Sequence, residues 1–285
     1  MLSLIICSRT PRISEELEKN IAETIGCEYE LVVIDNSKNK YSIFSAYNEG
    51  VRRSKGDVLC FMHDDILYKT NDWGVKVAET LKDESIGIVG IIGSYVMTKD
   101  YGYWDMMDPF VTGYVPCGDL PDNNCNLCFD ENYSNEVAIV DGMWFCMPKE
   151  IFSDVYFDVT TYYGYHFYDM DICMQSLMAG YKNVVIRGCV IQHNCHPNMD
   201  IHFIENMNVF FNKWNYRLPV FCGEALGMGE KKYNRLYNRT KLFYQMLYKA
   251  IRYEYNYLSV LNSNAYKLGV ILLKPIYWLK RFSNK

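Results

Sequence analysis

The sequence predicts an α/β fold in which a mostly parallel sheet carries helices on both faces. Short runs of continuously apolar residues alternate with segments of helical periodicity along the chain. Strands that are apolar at every position are typical of parallel sheets buried on both sides. Of the 285 residues, 49% are apolar, which is ample for the core of one large domain, with or without an appendage.

The first 62 residues supply three strands and two helices in alternation. Leu2–Cys7 is the first apolar run. The predicted helix that follows it has one apolar face, formed by Ile13, Leu17, Ile21 and Ile25. The segment YELVVID predicts the second strand, SIFSAYNEGVRRS the second helix and DVLCFM the third strand. Ligands of such sheets bind beyond the carboxyl ends of the strands, so the residues that follow each strand are candidates for a site.

The middle of the chain predicts further elements around an irregular insert. A helix over Trp73–Lys82 precedes a strand region with the sequence IGIVGIIGSYVM. Periodicity is absent between about residues 100 and 135, which indicates a loop-rich insert. Order resumes with EVAIVDGMWFCMPKEIF, a helix over Phe167–Ala179 and the strands NVVIR and CVIQH.

The end of the chain predicts a separate helical part. From Ile201 onward the pattern indicates only helices, with Pro219 and the Gly-rich segment 223–229 as a linker. We therefore expect a domain over residues 1–218 and a C-terminal extension over residues 219–285.

Charge divides the chain within this C-terminal part. Residues 229–285 contain 12 basic and 2 acidic residues, a net charge of 12 − 2 = +10. The whole chain carries −5, so residues 1–228 carry −5 − 10 = −15. An acidic body with a basic, aromatic-rich extension indicates that the extension has its own partner or surface.

Bulk features also predict the compartment. The 11 cysteines are scattered, and the first apolar run lacks the basic leader and the length of a signal peptide. No apolar stretch approaches the roughly 20 residues that span a bilayer, since LGVILLKPIYWL is interrupted by Lys274 and Pro275. We expect a protein of the reducing cytoplasm without a transmembrane segment.

Polar residues follow each of the first three predicted strands. Parallel strands end at one edge of a sheet, so we expect these side chains to gather there: Ser8, Arg9, Asp35, Asn36, His63, Asp64 and Asp65. A carboxylate after the second strand suits a ribose hydroxyl or a base, and paired Asp residues suit a divalent cation. Together they indicate a nucleoside diphosphate held through its metal. The alternatives are a turn-forming role for Asp35 and a helix cap at Asp64 and Asp65.

A second polar group opens the predicted helix near residue 168. Asp169 and Asp171 lie in its first turn, where the helix dipole alone is enough to favour carboxylates. His166 and Tyr168 add polar neighbours to Asp169, a suitable setting for a general base that acts on a substrate hydroxyl. We favour this role for Asp169 and leave Asp171 open between function and structure.

Histidine and cysteine residues offer further candidate ligands. His193 closes a predicted strand and His196 follows it; we favour His193 as a metal ligand or phosphate contact. Three cysteines in the insert offer a weaker zinc alternative, because their single Cys-x-x-Cys lacks a second pair: Cys117, Cys125 and Cys128.

Collectively, these motifs resemble those of a known family. LSLIICSR, YELVVIDNS, SAYNEGVRRSKGDVLCFMHDDI, VDGMWFCMPKEIF and FYDMDICMQSLMAGYKNVVI occur in the order seen in family 2 glycosyltransferases. Over about residues 1–195 the chain resembles their bacterial branch with a His-Asp-Asp motif. The resemblance implies a GT-A (Rossmann-like) fold, a nucleotide-sugar donor, Mn²⁺ or Mg²⁺, and inversion at the anomeric carbon.

The resemblance also implies roles for individual residues. Asp35 matches the acid that recognises the base, and Asp65 matches the last acid of the family's Asp-x-Asp signature. Asp169 matches the catalytic base. Ala46, Asn48 and Gly50 match the helix that precedes the metal strand. Asp141 and Gly142 match the floor of the site near the donor sugar and the acceptor.

Three departures from the family pattern stand out. His63 takes the place of the first acid of the signature, which lowers the negative charge that faces the cation. Tyr168 stands where a Glu precedes the base. The stretch between Asp35 and Ala46 is short, so one usual strand is abbreviated or missing.

The predicted site thus has four parts. The catalytic base is Asp169. The donor-binding residues are Ser8, Arg9, Asp35, Asn36, Asn48 and Asp64. The acceptor and sugar region consists of Asp141, Gly142, Trp144, His166 and Tyr168. The metal ligands are His63, Asp65 and His193.

The predicted function is inverting transfer of a sugar from a UDP- or GDP-linked donor to a hydroxyl of a saccharide or lipid-linked acceptor, in bacterial cell-surface polysaccharide or glycolipid synthesis. A metal-dependent nucleotidyltransferase and a non-catalytic membrane-surface module are the alternatives. We expect residues 229–285 to bind an anionic membrane at its cytoplasmic face. Aromatic packing on the body is the competing explanation, and the −15 body argues against nucleic acid.

Overall fold

The computed structural model describes residues 1–113, 115, 136–194, 199–264 and 267. Cys117, Cys125, Cys128 and His196 lie outside these residues. The helices are α1 Glu15–Thr24, α2 Ile43–Arg53, α3 Trp73–Thr80, α4 Tyr168–Met178, α5 Ile201–Trp214 and α6 Glu230–Asn262. The strands are β1 Leu2–Ser8, β2 Tyr29–Asp35, β3 Val58–Met62, β4 Ile66–Tyr68, β5 Ile86–Gly90, β6 Ile92–Ser94, β7 Val96–Met97, β8 Val111–Gly113, β9 Glu136–Val137, β10 Ile139–Val140, β11 Trp144–Pro148, β12 Lys182–Val185, β13 Ile191–His193 and β14 Val220–Phe221.

A seven-stranded sheet forms the centre of the molecule, in the order β2-β1-β3-β11-β5-β12-β9. Five strands run in one direction, because β1 pairs in parallel with β2 and β3, β12 pairs in parallel with β5, and β11 is antiparallel to both β3 and β5. Only β11 and the edge strand β9 oppose them. The predicted mostly parallel α/β sheet is confirmed.

Each face of the sheet has its own apolar core, because consecutive side chains of a strand point to opposite faces. In β1, Leu4 and Ile6 pack with Leu17 of α1 and Trp73 of α3. Ile5 lies in the other core, with α2 and α4. The helices therefore cover both faces, as the continuously apolar strands predict.

Serine caps fix where the first two helices begin. The Ser14 hydroxyl accepts a hydrogen bond from the backbone N–H of Leu17, and Ser42 does the same for Ser45. Both satisfy an N–H that has no partner within its helix. Residues 36–42, all of which are described, contain no strand. This agrees with the shortened stretch seen in the sequence.

Two short ribbons attach the C-terminal half of the chain to the sheet. β13 pairs with β4, which follows the end of β3, and β14 pairs with β7. The pattern after Ile201 predicts only helices, so β14 is a difference: Val220 and Phe221 form ladder bonds to residues 96–97, a contact that local periodicity does not reveal. The boundary at residue 218 stays a prediction.

The long helix α6 contacts the body along its first half. Leu236 and Thr240 are buried, Tyr237 donates a hydrogen bond to Asp100 at 3.0 Å, and Tyr244 donates one to Asn208 at 3.3 Å. Every residue from 252 to 260 is exposed. Among the described helices, none combines the length and the apolar character needed to cross a membrane.

Candidate active site

The polar residues that follow β1, β2 and β3 gather at one edge of the sheet, as predicted. The Ser8 hydroxyl donates a hydrogen bond to Asp64 Oδ2 at 2.7 Å, and the backbone N–H of Asn36 donates one to the Ser8 carbonyl at 2.8 Å. The edge is therefore braced by hydrogen bonds between the three strand ends.

Two histidines and one aspartate converge beside this edge. His193 Nε2 lies 3.2 Å from Asp65 Oδ1, His63 Nδ1 lies 3.3 Å from His193 Nε2, and His63 Nδ1 lies 3.8 Å from Asp65 Oδ1. His63 and Asp65 follow β3, whereas His193 ends β13. The pairing of His193 with Ile66 in the β4–β13 ribbon brings the distant histidine to this place.

These three side chains fit a divalent cation. Oδ1 of Asp65 is buried, yet it accepts no hydrogen bond from any described residue. A cation bound at about 2.1 Å has neighbouring ligand atoms about 3 Å apart, which is close to the observed separations. Carboxylate suits Mn²⁺ and Mg²⁺, whereas imidazole suits transition ions, so this mixed set matches a transition ion better than it matches Mg²⁺.

The protonation states also favour a cation. Burial, with His193 nearby, lowers the pKa of His63, so its ring is neutral and a nitrogen lone pair is free at pH 7. Burial is the largest single influence on Asp65 and opposes its ionisation, but His193, His63 and a backbone hydrogen bond together outweigh burial and lower the pKa of this carboxyl. The cluster therefore offers the carboxylate of Asp65 and the neutral imidazole of His63.

Asp169 lies in the first turn of α4 and is 1% exposed. Its Oδ2 accepts hydrogen bonds from the Tyr103 hydroxyl and from the backbone N–H of Gly142, both at 3.1 Å. Burial and the nearby charge of Asp141 raise the pKa of Asp169 to about 7. A carboxylate poised near neutral pH is suited to general base catalysis.

Backbone strain marks the start of α4. Phe167 has φ 70°, in the left-handed region that a phenylalanine rarely adopts. Its ring is held among Tyr103, Phe203 and Phe210 at centroid distances of 5.6, 5.2 and 5.6 Å. This packing stabilises the turn that directs Tyr168 and Asp169 toward the sheet edge.

Gly142 connects Asp169 to the cluster of His63, Asp65 and His193. Its N–H binds Asp169, its carbonyl accepts a hydrogen bond from the Tyr168 hydroxyl at 2.9 Å, and the same hydroxyl lies 2.9 Å from His63 Nε2. A Cβ atom at position 142 would lie 2.6 Å from Cζ of Tyr168. Only glycine allows the Tyr168 ring to approach this closely.

Asp171, which the sequence leaves open, has a structural role. Lys213 Nζ lies 2.9 Å from its Oδ1, and Trp214 Nε1 donates to the same oxygen at 2.8 Å. Tyr162 and Gln175 donate to the carboxylate as well, at 3.0 and 2.7 Å. A buried carboxylate with a cation and three neutral donors is fully used within the fold.

The donor-side residues occupy the edge in different ways. Asp35 is exposed and accepts a hydrogen bond from the Ser37 N–H at 2.9 Å, so it forms the turn that was the alternative to a donor contact, while its carboxylate still faces solvent. Arg9 is also exposed. Asn36 holds the backbone of Tyr41, and Asn48 holds that of Phe157. The amides of both Asn residues thus brace loops, and their contact with a donor stays a prediction.

The predicted acceptor residues are not all brought together. Asp141 is half-buried near Asp169, whereas Trp144 is 0% exposed in the core, where its Nε1 donates to Tyr68 at 2.9 Å. The structure does not bring Trp144 to the site, because its ring packs in the core on the face that carries α1 and α3, with the Trp73 ring centroid 5.9 Å away. His166 lies 3.6 Å from Asp200 at the start of α5.

Tyr103 and the cavity beside it are not predicted from the sequence. The cavity, of about 200 Å³, opens between residues 105–106 and α6, and it is lined by Asp105, Met106, Met199, Arg239, Thr240 and Phe243. Tyr103 contacts Asp169, so the segment that lines the cavity also reaches the candidate base. Both lie at the start of the aperiodic insert. The high density of aromatic residues is the only sequence signal at that point.

The chain matches one known family over most of its length. A family model described as "Glycosyltransferase like family" matches residues 3–214, which confirms the resemblance seen in the motifs. No curated protein matches the sequence.

Several solved structures resemble this chain. They include the crystal structure of GalNAc-T7 with UDP, GalNAc and Mn²⁺ (13% identity, TM-score 0.49, 75% of this chain and 49% of that chain). The mannosyltransferase PcManGT from Pyrobaculum calidifontis in complex with GDP-Man and Mn²⁺ gives 11% identity and a TM-score of 0.46, over 95% of this chain and 83% of that one. S. aureus TarS 1-349 gives 13% identity and a TM-score of 0.43, over 68% of this chain and 60% of that one. The match thus spans about half of the GalNAc-T7 chain and 60% of the TarS 1-349 chain.

Proposed function

The chain belongs to the glycosyltransferase-like family that it matches over residues 3–214, and from this membership we propose that it is an inverting glycosyltransferase. In the proposed reaction a sugar moves from a UDP- or GDP-linked donor to a hydroxyl of a saccharide or lipid-linked acceptor, in the synthesis of a bacterial surface polysaccharide or glycolipid. The observation that carries the proposal is Asp169, a buried carboxylate with a pKa of about 7, joined through Gly142 and Tyr168 to a candidate cation cluster.

Asp169 removes the proton from the acceptor hydroxyl. The acceptor oxygen then forms a bond to the anomeric carbon from the face opposite the diphosphate, while the bond from that carbon to the diphosphate oxygen breaks. This single displacement inverts the anomeric centre. Tyr103 and the Gly142 N–H orient the carboxylate while it acts.

His63, Asp65 and His193 would hold the cation, Mn²⁺ or Mg²⁺. When bound, the cation neutralises the negative charge that develops on the leaving diphosphate. Asp64 is held by Ser8 at the same edge. Asp35 offers an exposed carboxylate to the ribose or the base. These residues therefore form the donor side of the proposed site.

The cavity beside α6 supports an acceptor entrance. Its apolar wall comes from Met106, Met199 and Phe243, and Arg239 and Asp105 add polar edges. Burial and the charge of Asp141 raise the pKa of Asp105 to about 6, so the cavity lies within electrostatic reach of the catalytic acids. A mixed apolar and polar wall suits the ring faces and hydroxyls of a sugar.

The far half of α6 supports attachment to a membrane. Tyr253, Tyr255 and Tyr257 are 76%, 54% and 55% exposed, whereas packing on the body would bury them. Basic residues share this helix, and anionic headgroups attract each Lys or Arg by about 1 kcal/mol near the surface. We propose peripheral binding at the cytoplasmic face of a bacterial membrane, beside a lipid-linked acceptor.

Turnover of nucleotide sugars tests the function. We expect release of UDP or GDP from at least one member of a donor panel, and more release when an acceptor is added. Pyrophosphate release from a nucleoside triphosphate would instead support the nucleotidyltransferase. If neither product forms and vesicle binding remains, the chain is a membrane-surface module.

Replacement of a proposed ligand tests the cation. Asp65→Asn removes a charged oxygen ligand, so binding of Mn²⁺ and turnover should both collapse while the circular dichroism spectrum stays native. Asp83→Asn, at an exposed turn outside the cluster, is the matched control. Wild-type Mn²⁺ binding by Asp65→Asn would remove Asp65 from the ligand set.

Liposome flotation tests the membrane proposal. The full chain should float with anionic vesicles at low salt and detach at high salt. Replacement of Tyr253, Tyr255 and Tyr257 by Ser should weaken flotation without changing turnover of a soluble acceptor. Salt-insensitive flotation, or equal flotation of the variant and the wild type, would contradict the proposal.

A further inference from the structure

Tyr168 and His63 lie 105 positions apart in the sequence and meet in the site. The Tyr168 hydroxyl contacts His63 Nε2, the ring nitrogen that faces away from the cation cluster. Tyr168 is 5% exposed, and its ring packs against Tyr47 and Phe44 at centroid distances of 5.5 and 6.3 Å. Gly142 lies against the same ring, so the Tyr168 hydroxyl is held in one place.

The hydrogen bonds of this hydroxyl have one consistent assignment. A backbone carbonyl only accepts, so the single phenolic proton of Tyr168 is donated to the Gly142 carbonyl at 2.9 Å. The phenolic oxygen is then left to accept from His63 Nε2, also at 2.9 Å. His63 Nε2 therefore carries the ring proton, and Nδ1 has a free lone pair.

Nδ1 is the nitrogen that faces the cluster. It lies 3.3 Å from His193 Nε2 and 3.8 Å from Asp65 Oδ1. A histidine ligates a metal through its unprotonated nitrogen, and a hydrogen bond to the other nitrogen selects the tautomer and fixes the ring. Both the tautomer and the ring orientation of His63 thus depend on Tyr168.

We propose that Tyr168 is a positioning residue which, through its hydrogen bond to His63 Nε2, presents His63 Nδ1 to a divalent cation. This inference rests on the proposed function for the presence of the cation. It also gives one physical cause for two departures from the family pattern, which are His63 in place of an acid and Tyr168 in place of a Glu. A histidine at position 63 needs a hydrogen-bond acceptor behind its ring, and a tyrosine anchored to the Gly142 carbonyl supplies it.

The principal test is Tyr168→Phe, which keeps the ring and removes the hydroxyl. Mn²⁺ affinity of the full chain, measured by electron paramagnetic resonance without any nucleotide, should fall roughly 10- to 100-fold. Tyr103→Phe is the matched control, because it removes another buried hydroxyl that donates to Asp169 and not to His63. Its Mn²⁺ affinity should equal that of the wild type.

A double-mutant cycle separates positioning from general loosening of the fold. His63→Ala should weaken Mn²⁺ binding, and Tyr168→Phe should cause no further loss in that background, because the residue that it positions is gone. Additive losses would overturn the inference.

Nitrogen NMR of the wild-type protein gives a test that does not depend on a variant's folding. The His63 ring should show a protonated Nε2 and a bare Nδ1. The opposite tautomer, or unchanged Mn²⁺ affinity in a folded Tyr168→Phe, overturns the inference even if nucleotide sugars are turned over. Failure of turnover with the expected Mn²⁺ results would instead count against the proposed function alone.

Discussion

Asp169 and Asp171 lie two residues apart in the first turn of α4, and each is 1% exposed. Asp171 is neutralised by Lys213 and receives hydrogen bonds from three further side chains. Asp169 has a second acid, Asp141, in place of a cation, and its pKa rises to about 7. Burial is therefore equal, and the charge of the neighbours decides which carboxylate supports the fold and which is left reactive.

The largest expected effect is on catalysis by Asp169→Asn. The amide keeps the shape of the carboxylate but cannot take a proton, so sugar transfer should fall roughly 10²- to 10⁴-fold. The donor affinity should change little, and single-turnover kinetics with a separate donor titration measure both. An intact rate with weakened donor binding would make Asp169 a binding residue and remove the contrast with Asp171.

The next effect is on stability, in Asp171→Asn. Lys213 would keep only Asp158 as a charged partner among the described residues, at 2.8 Å. Loss of one member of a buried ion pair costs about 3 kcal/mol, or roughly 5 to 10 °C in the unfolding temperature. Calorimetry measures it, and Asp154→Asn, whose only described side-chain contact is a long 3.5 Å bond from Tyr181, is the control. If Asp171→Asn abolished turnover without loss of stability, Asp171 would belong to the catalytic machinery.

The smallest effect is on the pH dependence. Transfer should rise as the pH increases through about 7, because Asp169 must be ionised to accept a proton. The Tyr103 hydrogen bond lowers the pKa of Asp169, so Tyr103→Phe should move the acidic limb of the rate profile upward by roughly half a unit to one unit. A limb that stays in place would show that another group titrates.

The raised pKa of Asp169 also makes stability depend on pH. Stability falls as the pH rises, whereas the rate of transfer increases. The folded-state pKa of Asp169 is raised above its unfolded value, so the protonated carboxyl stabilises the fold at low pH and this contribution is lost as the pH rises toward 7. Between pH 5 and pH 8, the unfolding temperature of Asp169→Asn should therefore improve relative to the wild type.

The sequence predicts well what depends on local pattern. The apolar runs in β1, β2 and β3 place Ser8, Asp35 and His63 at strand ends, and the parallel topology that these runs predict then brings those ends together. His193 could be assigned to the site because it too ends an apolar run.

What the sequence does not predict depends on contacts between distant segments. The run that forms β11 indicates a strand but not its direction, and β11 lies antiparallel in the middle of the sheet. Trp144 lies within a motif, yet its ring is buried against Trp73 of α3, a contact between segments about 70 residues apart. Asn36 and Asn48 bind groups more than 100 residues away. Tyr103 comes from a segment without periodicity.

Gly142 limits how this protein can diverge. Its N–H binds Asp169 and its carbonyl binds the Tyr168 hydroxyl, so a backbone shift at this residue would disturb the proposed base and the proposed cation site together. No side chain fits there while the Tyr168 ring remains. A change of base or of cation ligand therefore requires compensating changes in both halves of the site. Arg9 and Phe243 are exposed, so the proposed donor and acceptor contacts could change there while the proposed chemistry stays the same.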